Sequence, residues 1–170
     1  RHDEVMTSTA VWLDGVLVAP HEASLSVFDH GITVGDGVFE TLKVTGGVPF
    51  ALRRHIARLA RSAAGLGLEV PFTDDEIRAA AAEVVTASGE TRARLRITLT
   101  GGVAPLGSDR GDAMPSVVMA VAPLPEMPPV TDVVTVPWAR NERSAVTGLK
   151  TTSYAENVVA LAAAHRAGAS

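Results

Sequence analysis

Lysine is scarce in this chain, and its positions are the first place to look for amine chemistry. Of fifteen Lys and Arg residues, only Lys43 and Lys150 are lysine. A guanidinium stays protonated at physiological pH, whereas an amine can lose its proton, attack a carbonyl and form a Schiff base. Lys150 follows Gly148-Leu149 and precedes Thr151-Thr152-Ser153, small polar residues suited to surround a cofactor, and an apolar helical pattern begins directly after. A compositional preference for Arg would also leave two lysines, so scarcity alone does not decide the matter. A second cluster is Arg53, Arg54, His55, Arg58 and Arg61. Arg54, Arg58 and Arg61 follow i, i+4, i+7 spacing and share one side of a helix, where one of them can reach an anion while the others form a solvated face. A third is the stretch 29–41, with Gly31, Gly35 and Gly37 beside Asp29 and Asp36. It reads as a loop of left-handed glycines; no helix opens after it, so it is not a phosphate or dinucleotide loop. His30 and His55 have no ligand partners at useful spacing, which argues against a metal site.

These groups need a scaffold, and the patterning predicts an α+β one. Residues 11–13 and 16–18 flank Asp14-Gly15 as a β-hairpin. Residues 24–28 are short and mixed. From 38 to 45 the chain alternates, with Val38, Glu40, Leu42 and Val44 on one face and Phe39, Thr41 and Lys43 on the other. Gly46-Gly47 then turns it into Val48-Pro49-Phe50. Leu52, Ile56, Leu59 and Ala63 recur at helical spacing, and Gly65 and Gly67 stop that helix. Thr73-Asp74-Asp75-Glu76 is a capping box opening a second helix to about residue 87. Residues 92–100 alternate as a half-buried strand, 101–114 form a Gly-rich loop, and 116–122 read as a buried strand. Four prolines in residues 123–129 mark a semi-rigid linker. A strand at 132–136, an irregular stretch and a helix over 153–167 follow. The predicted organisation is a small domain at 11–122, a Pro-rich linker at 123–130, and the opening of a larger domain at 131–170, because one strand and one helix are too little for a core.

Composition narrows the class. A hydrophobic content of 46% with 20% charged residues is that of a globular protein. The net charge of −4 argues against a nucleic-acid surface. Absence of cysteine excludes disulfides and thiolate metal sites and agrees with a cytoplasmic location. No apolar run reaches the roughly 18 residues of a membrane span. The first ten residues lack an apolar signal-peptide core, and Met6 is a candidate initiator.

Three motifs together resemble the class IV aminotransferases, the fold-type IV pyridoxal-phosphate enzymes. They are Gly35-Asp36-Gly37-Val38-Phe39-Glu40-Thr41, His55-Ile56-Ala57-Arg58-Leu59, and Gly148-Leu149-Lys150-Thr151-Thr152-Ser153-Tyr154 with Asn157. The resemblance runs from about Trp12 to the end of the chain. It implies pyridoxal 5'-phosphate as cofactor, Lys150 as the lysine that carries it, Arg58 as the arginine on its phosphate, and a homodimer acting on a small molecule. It also implies that Phe39 and Thr41 line the site and that Arg110 faces substrate.

Within the family the match leans toward aminodeoxychorismate lyases, which convert 4-amino-4-deoxychorismate to 4-aminobenzoate and pyruvate. They are similar in carrying threonine where this chain has Thr41, and in the Thr-Thr-Ser-Tyr run after the lysine. Branched-chain aminotransferases usually have glycine at the Thr41 position. D-amino-acid aminotransferases have tyrosine at the Phe39 position, and an arginine and a histidine where this chain has Gly101-Gly102-Val103. Thr41 is therefore expected to act in the lyase reaction, with transamination of branched-chain or other amino acids as the alternative. Members of the family run roughly a hundred residues further than this chain. That part is expected to hold the acid for the pyridine nitrogen, a role Glu156 cannot fill from six residues past Lys150. The chain is thus expected to be part of a larger enzyme, or an inactive truncated relative serving as a dimerisation or binding module.

Overall fold

The computed structural model describes residues 10–169; Met6, the candidate initiator, lies outside them. Alternating apolar residues build one antiparallel sheet. The hairpin forms as β1 (Ala10–Leu13) and β2 (Val16–Val18), with Leu13 opposite Val16 and both Asp14 and Gly15 at positive φ, the backbone such a two-residue turn demands. Residues 24–28 form no strand; they lead into α1 (His30–Thr33), a single turn capped by the Asp29 carboxylate on Gly31 N at 2.7 Å. Then come β3 (Gly37–Thr45), β4 (Val48–Pro49), α2 (Leu52–Gly65), α3 (Asp74–Ser88), β5 (Arg92–Thr100), β6 (Ser116–Pro123) and α4 (Ala155–Arg166). The sheet order is β2-β1-β6-β5-β3-β4, with every neighbouring pair antiparallel.

The helices α2 and α3 pack on the same core, which makes a two-layer α+β arrangement as predicted. Val38, Leu42 and Val44 of β3, Leu95, Ile97 and Leu99 of β5, and Val117, Met119 and Val121 of β6 share that core with Ile56 and Leu59 of α2 and Ile77, Ala81 and Val84 of α3. Period-two alternation then sends Phe39, Thr41 and Lys43, with Arg94, Arg96 and Thr98 beside them, to the opposite face. The capping box is complete: Thr73 Oγ1 accepts from Glu76 N, and the Glu76 carboxylate accepts from Thr73 N at 2.7 Å.

The strand expected at residues 132–136 does not form; residues 124–150 contain no helix or strand. A strand exists only with a hydrogen-bonded neighbour, and this segment lies on neither edge of the sheet. The helix expected over 153–167 is present as α4, but none of its residues is buried; Val158, Val159 and Leu161 are exposed. No helix among the described residues is long and apolar enough to cross a membrane.

Candidate active site

The segment carrying Lys150 is held by its backbone. The Leu149 side chain fills the notch over Gly65 of α2, where an added Cβ would lie 2.6 Å from a Leu149 methyl. Lys150 N donates to the buried Ser62 hydroxyl at 3.1 Å, and Lys150 O accepts from Phe39 N at 3.0 Å. Thr151 bridges to Val38, and Thr152 N donates to Gly37 O at 2.8 Å. Residues 150–152 thereby line the first half of β3, which β4 leaves open because β4 pairs only with Val44 and Thr45.

This pairing puts the lysine side chain on the Phe39 face of the sheet. Lys150 Nζ lies 3.9 Å from the Phe39 ring centroid and donates to the Tyr154 hydroxyl at 3.0 Å. Phe39 and Tyr154 meet edge to face at 4.9 Å. The Arg96 guanidinium lies 3.8 Å from the same Phe39 centroid, and Arg96 stands opposite Thr41 in the β3–β5 register. Its one protein hydrogen bond among the described residues is to Thr98, so its charge has no carboxylate partner there. Thr41 is half-buried beside it. Lys43, the other lysine, is exposed on the same face two residues further along β3. A cavity of about 670 Å³ is lined by residues on both sides of Lys150, Arg140, Ser144 and Leu149 before it and Thr151, Tyr154 and Asn157 after it.

Arg58 stands out from the other arginines of α2 through a carboxylate. Glu40 points into the core face and is fully buried. Arg58 Nε donates to Glu40 Oε1 at 2.5 Å, Arg58 Nη2 donates to Oε2 at 2.6 Å, and His55 Nδ1 meets Oε2 at 2.7 Å. Burial pushes the Glu40 carboxyl up, but the hydrogen bonds and charges of Arg58 and His55 outweigh it and hold it below the ordinary carboxylate value. The bond to Glu40 in turn raises the Arg58 guanidinium above its usual value. Arg58 Nη1 has no protein partner among the described residues, and Arg53, Arg54 and Arg61 make no salt bridge there.

Arg110, expected from the resemblance to face substrate, is bonded here to the scaffold. Its Nε and Nη2 grip both oxygens of Asp36 at 2.9 and 3.0 Å, and its Nη1 and Nη2 donate to the carbonyls of Gly67 and Leu66 at 2.9 Å each. Nearly all its donors are spent pinning the Gly-rich loop to the end of α2 and the turn before β3. Three participants escaped the sequence reading. Glu40 left a signal: it is a lone carboxylate on the apolar face of an alternating strand. Tyr154 is the only tyrosine in the chain and lies four residues past Lys150. Arg96 left no signal among the alternating arginines of β5.

An amine beside two aromatic rings, and a guanidinium pre-set on a buried carboxylate with one nitrogen unbonded among the described residues, suit an aldehyde cofactor that bears a phosphate. The groups present therefore fit pyridoxal 5'-phosphate. Comparison with known proteins points the same way. A Methanocaldococcus jannaschii protein named for branched-chain-amino-acid aminotransferase activity is 36% identical over 118 residues, covering 69% of this chain and 41% of the relative. The aminodeoxychorismate lyase of Bacillus subtilis is 33% identical over 103 residues, covering 59% of this chain and 34% of the relative. The chain thus spans well under half the length of these curated relatives. A branched-chain aminotransferase from Thermoproteus uzoniensis, crystallised with norvaline, superposes with a TM-score of 0.85 at 30% identity, covering 94% of this chain and 57% of that one. The profile of amino-transferase class IV matches residues 37–170, so the chain belongs to the class IV aminotransferase family.

Proposed function

We propose that the protein is a pyridoxal-phosphate-dependent lyase converting 4-amino-4-deoxychorismate to 4-aminobenzoate and pyruvate. The observation that carries this reading is the face shared by Lys150, Phe39, Thr41 and Arg96. An amine, a hydroxyl and a guanidinium without a carboxylate partner among the described residues share that face. The substrate is a dicarboxylate, and Arg96 is a cation without a carboxylate partner among the described residues. When bound, the cofactor supplies an electron sink at the substrate carbon that carries the amino group. Lys150 Nζ takes the proton from that ring carbon, which aromatises the ring as the enolpyruvyl C–O bond breaks. The Thr41 hydroxyl hydrogen-bonds the departing group or relays the proton that its methylene carbon gains on becoming pyruvate. Tyr154 Oη holds the amine in place through the 3.0 Å bond. Arg58 would hold the phosphate. Atoms balance without water or an external oxidant.

A second reading, transamination of branched-chain amino acids, is favoured by the identity to the archaeal relative. The division into a small domain at 11–122, a linker at 123–130 and part of a larger domain from 131 belongs to the proposal, as do a homodimer and a cytoplasmic location. The exposed apolar residues of α4 support a further packing partner for that helix. The deciding assay gives the full-length protein 4-amino-4-deoxychorismate, and separately a panel of amino acids with 2-oxoglutarate. Release of pyruvate and 4-aminobenzoate in equal amounts is the expected result. Conversion of amino acids without pyruvate release would overturn the lyase reading. Replacing Arg96 by Met is expected to raise KM for the dicarboxylate by roughly tenfold or more, the scale of a lost charge-assisted contact.

A further inference from the structure

Strand alternation splits Phe39-Glu40-Thr41 between two faces. Phe39 and Thr41 face the Lys150 side chain. Glu40, between them, is turned to the other side beside Val38 and Leu42. A bare carboxylate there would be strongly unfavourable. Both its oxygens are bonded, to Arg58 through Nε and Nη2 and to His55 through Nδ1. An ionised carboxylate only accepts, so the His55 proton sits on Nδ1.

We propose that Glu40 is a positioning residue for the phosphate of the cofactor. This rests on the reading that Arg58 holds that phosphate. The Arg58 side chain is 45% exposed, while its carboxylate partner is 0% exposed. A long, half-exposed arginine samples many rotamers, and each must be given up on binding. The bidentate grip on a carboxylate fixed in the core removes that freedom beforehand and leaves Nη1 for the anion. His55 holds the second oxygen, so the carboxylate cannot swing with the guanidinium. Among the described residues Arg54 and Arg61, which share the helix side, make no such bond, a difference that the i, i+4, i+7 spacing does not show.

The test compares pyridoxal 5'-phosphate with pyridoxal, which lacks the phosphate, by absorbance titration of the full-length apoprotein. Wild type, Glu40→Gln, Arg58→Ala and the double variant are compared. Gln offers one acceptor oxygen and turns an NH₂ toward the guanidinium. Glu40→Gln is expected to weaken pyridoxal 5'-phosphate binding roughly tenfold or more, while pyridoxal binding stays within about twofold. In the Arg58→Ala background the Glu40 change should add nothing, because it acts through the absent guanidinium. Equal weakening of both ligands, no weakening of either, or additive losses in the double variant would overturn the proposal. An Arg58→Ala variant with no phosphate-selective loss would overturn the phosphate reading itself, and this inference with it. If Glu40→Gln does not fold, His55→Ala is measured in its place. It keeps the ion pair and removes one anchor, so a smaller phosphate-selective loss is expected, and an unselective one or none counts against the proposal.

Discussion

Two lysines lie on the same face of the sheet, yet their surroundings differ. Lys150 Nζ sits between the Phe39 ring and the Tyr154 hydroxyl, whereas Lys43 points from an exposed position of β3. An amine that must attack an aldehyde needs one fixed position, and only Lys150 has one. Borohydride reduction of the cofactor-loaded protein is therefore expected to leave the cofactor's mass on the peptide containing Lys150; label on Lys43 would refute the assignment. Thr41 belongs to the same face. A hydroxyl that acts only in the transition state lowers the rate when lost, with little change in binding. Thr41→Val is expected to slow 4-aminobenzoate release about 10²-fold, within the usual range of a general acid–base group. Cofactor absorbance should be unchanged. Full activity in this variant would make Thr41 a packing residue.

At the scale of elements, α2 serves the site from several points along its length. His55 and Arg58 hold Glu40, Ser62 accepts from Lys150 N, and Gly65 makes room for Leu149. Its N-cap residue, Ala51, provides no side-chain cap, so packing on β3 must hold the helix. The next helix, α3, is anchored differently. Its capping box satisfies two free N–H groups at its start and places Asp74, Asp75 and Glu76 in the first turn, where the helix dipole favours negative charge. Thr73→Ala is expected to cost about 1 kcal/mol of stability, the typical loss of an N-cap. The shift in denaturant midpoint measures it. Because α3 packs on β1 and β6, away from Lys150, cofactor affinity should not change.

For the molecule as a whole, the Glu40 cluster ties the sheet to the helical layer, so its ionisation is linked to global stability. The folded-state pKa of Glu40 lies below its ordinary value of 4.5. The stabilisation is therefore fully present above that pH and is lost as pH falls through the lower folded value. Denaturation of wild type and Glu40→Gln across acid pH checks this. The wild-type advantage near neutrality should shrink steadily below pH 4.5, since a protonated Glu40 and a glutamine present similar neutral groups. A gap that stays constant through acid pH would show that the ion pair adds nothing to stability.

Much of this protein was legible in order along the chain. The Asp14-Gly15 hairpin, the two faces of β3, the span of α2, the capping box of α3 and the alternation of β5 depend on neighbours a few residues apart, and such patterns survive in one dimension. Lys150 stood out for a chemical reason, since an amine does what a guanidinium cannot. Family likeness singled out Arg58 as an expectation, and the three motifs together carried the fold. Partners distant in sequence were not legible. Glu40 finds Arg58 eighteen residues on, and Arg110 finds Asp36 seventy-four residues away. A charged side chain's role is set by the charge it meets, and sequence spacing does not encode that meeting. Residues 132–136 have the composition of a strand, but a strand is a property of a pair, and no neighbour in the sheet accepts them. Only the tertiary structure decided that one arginine of α2 rests on a buried carboxylate, and that Arg110 is spent on the scaffold.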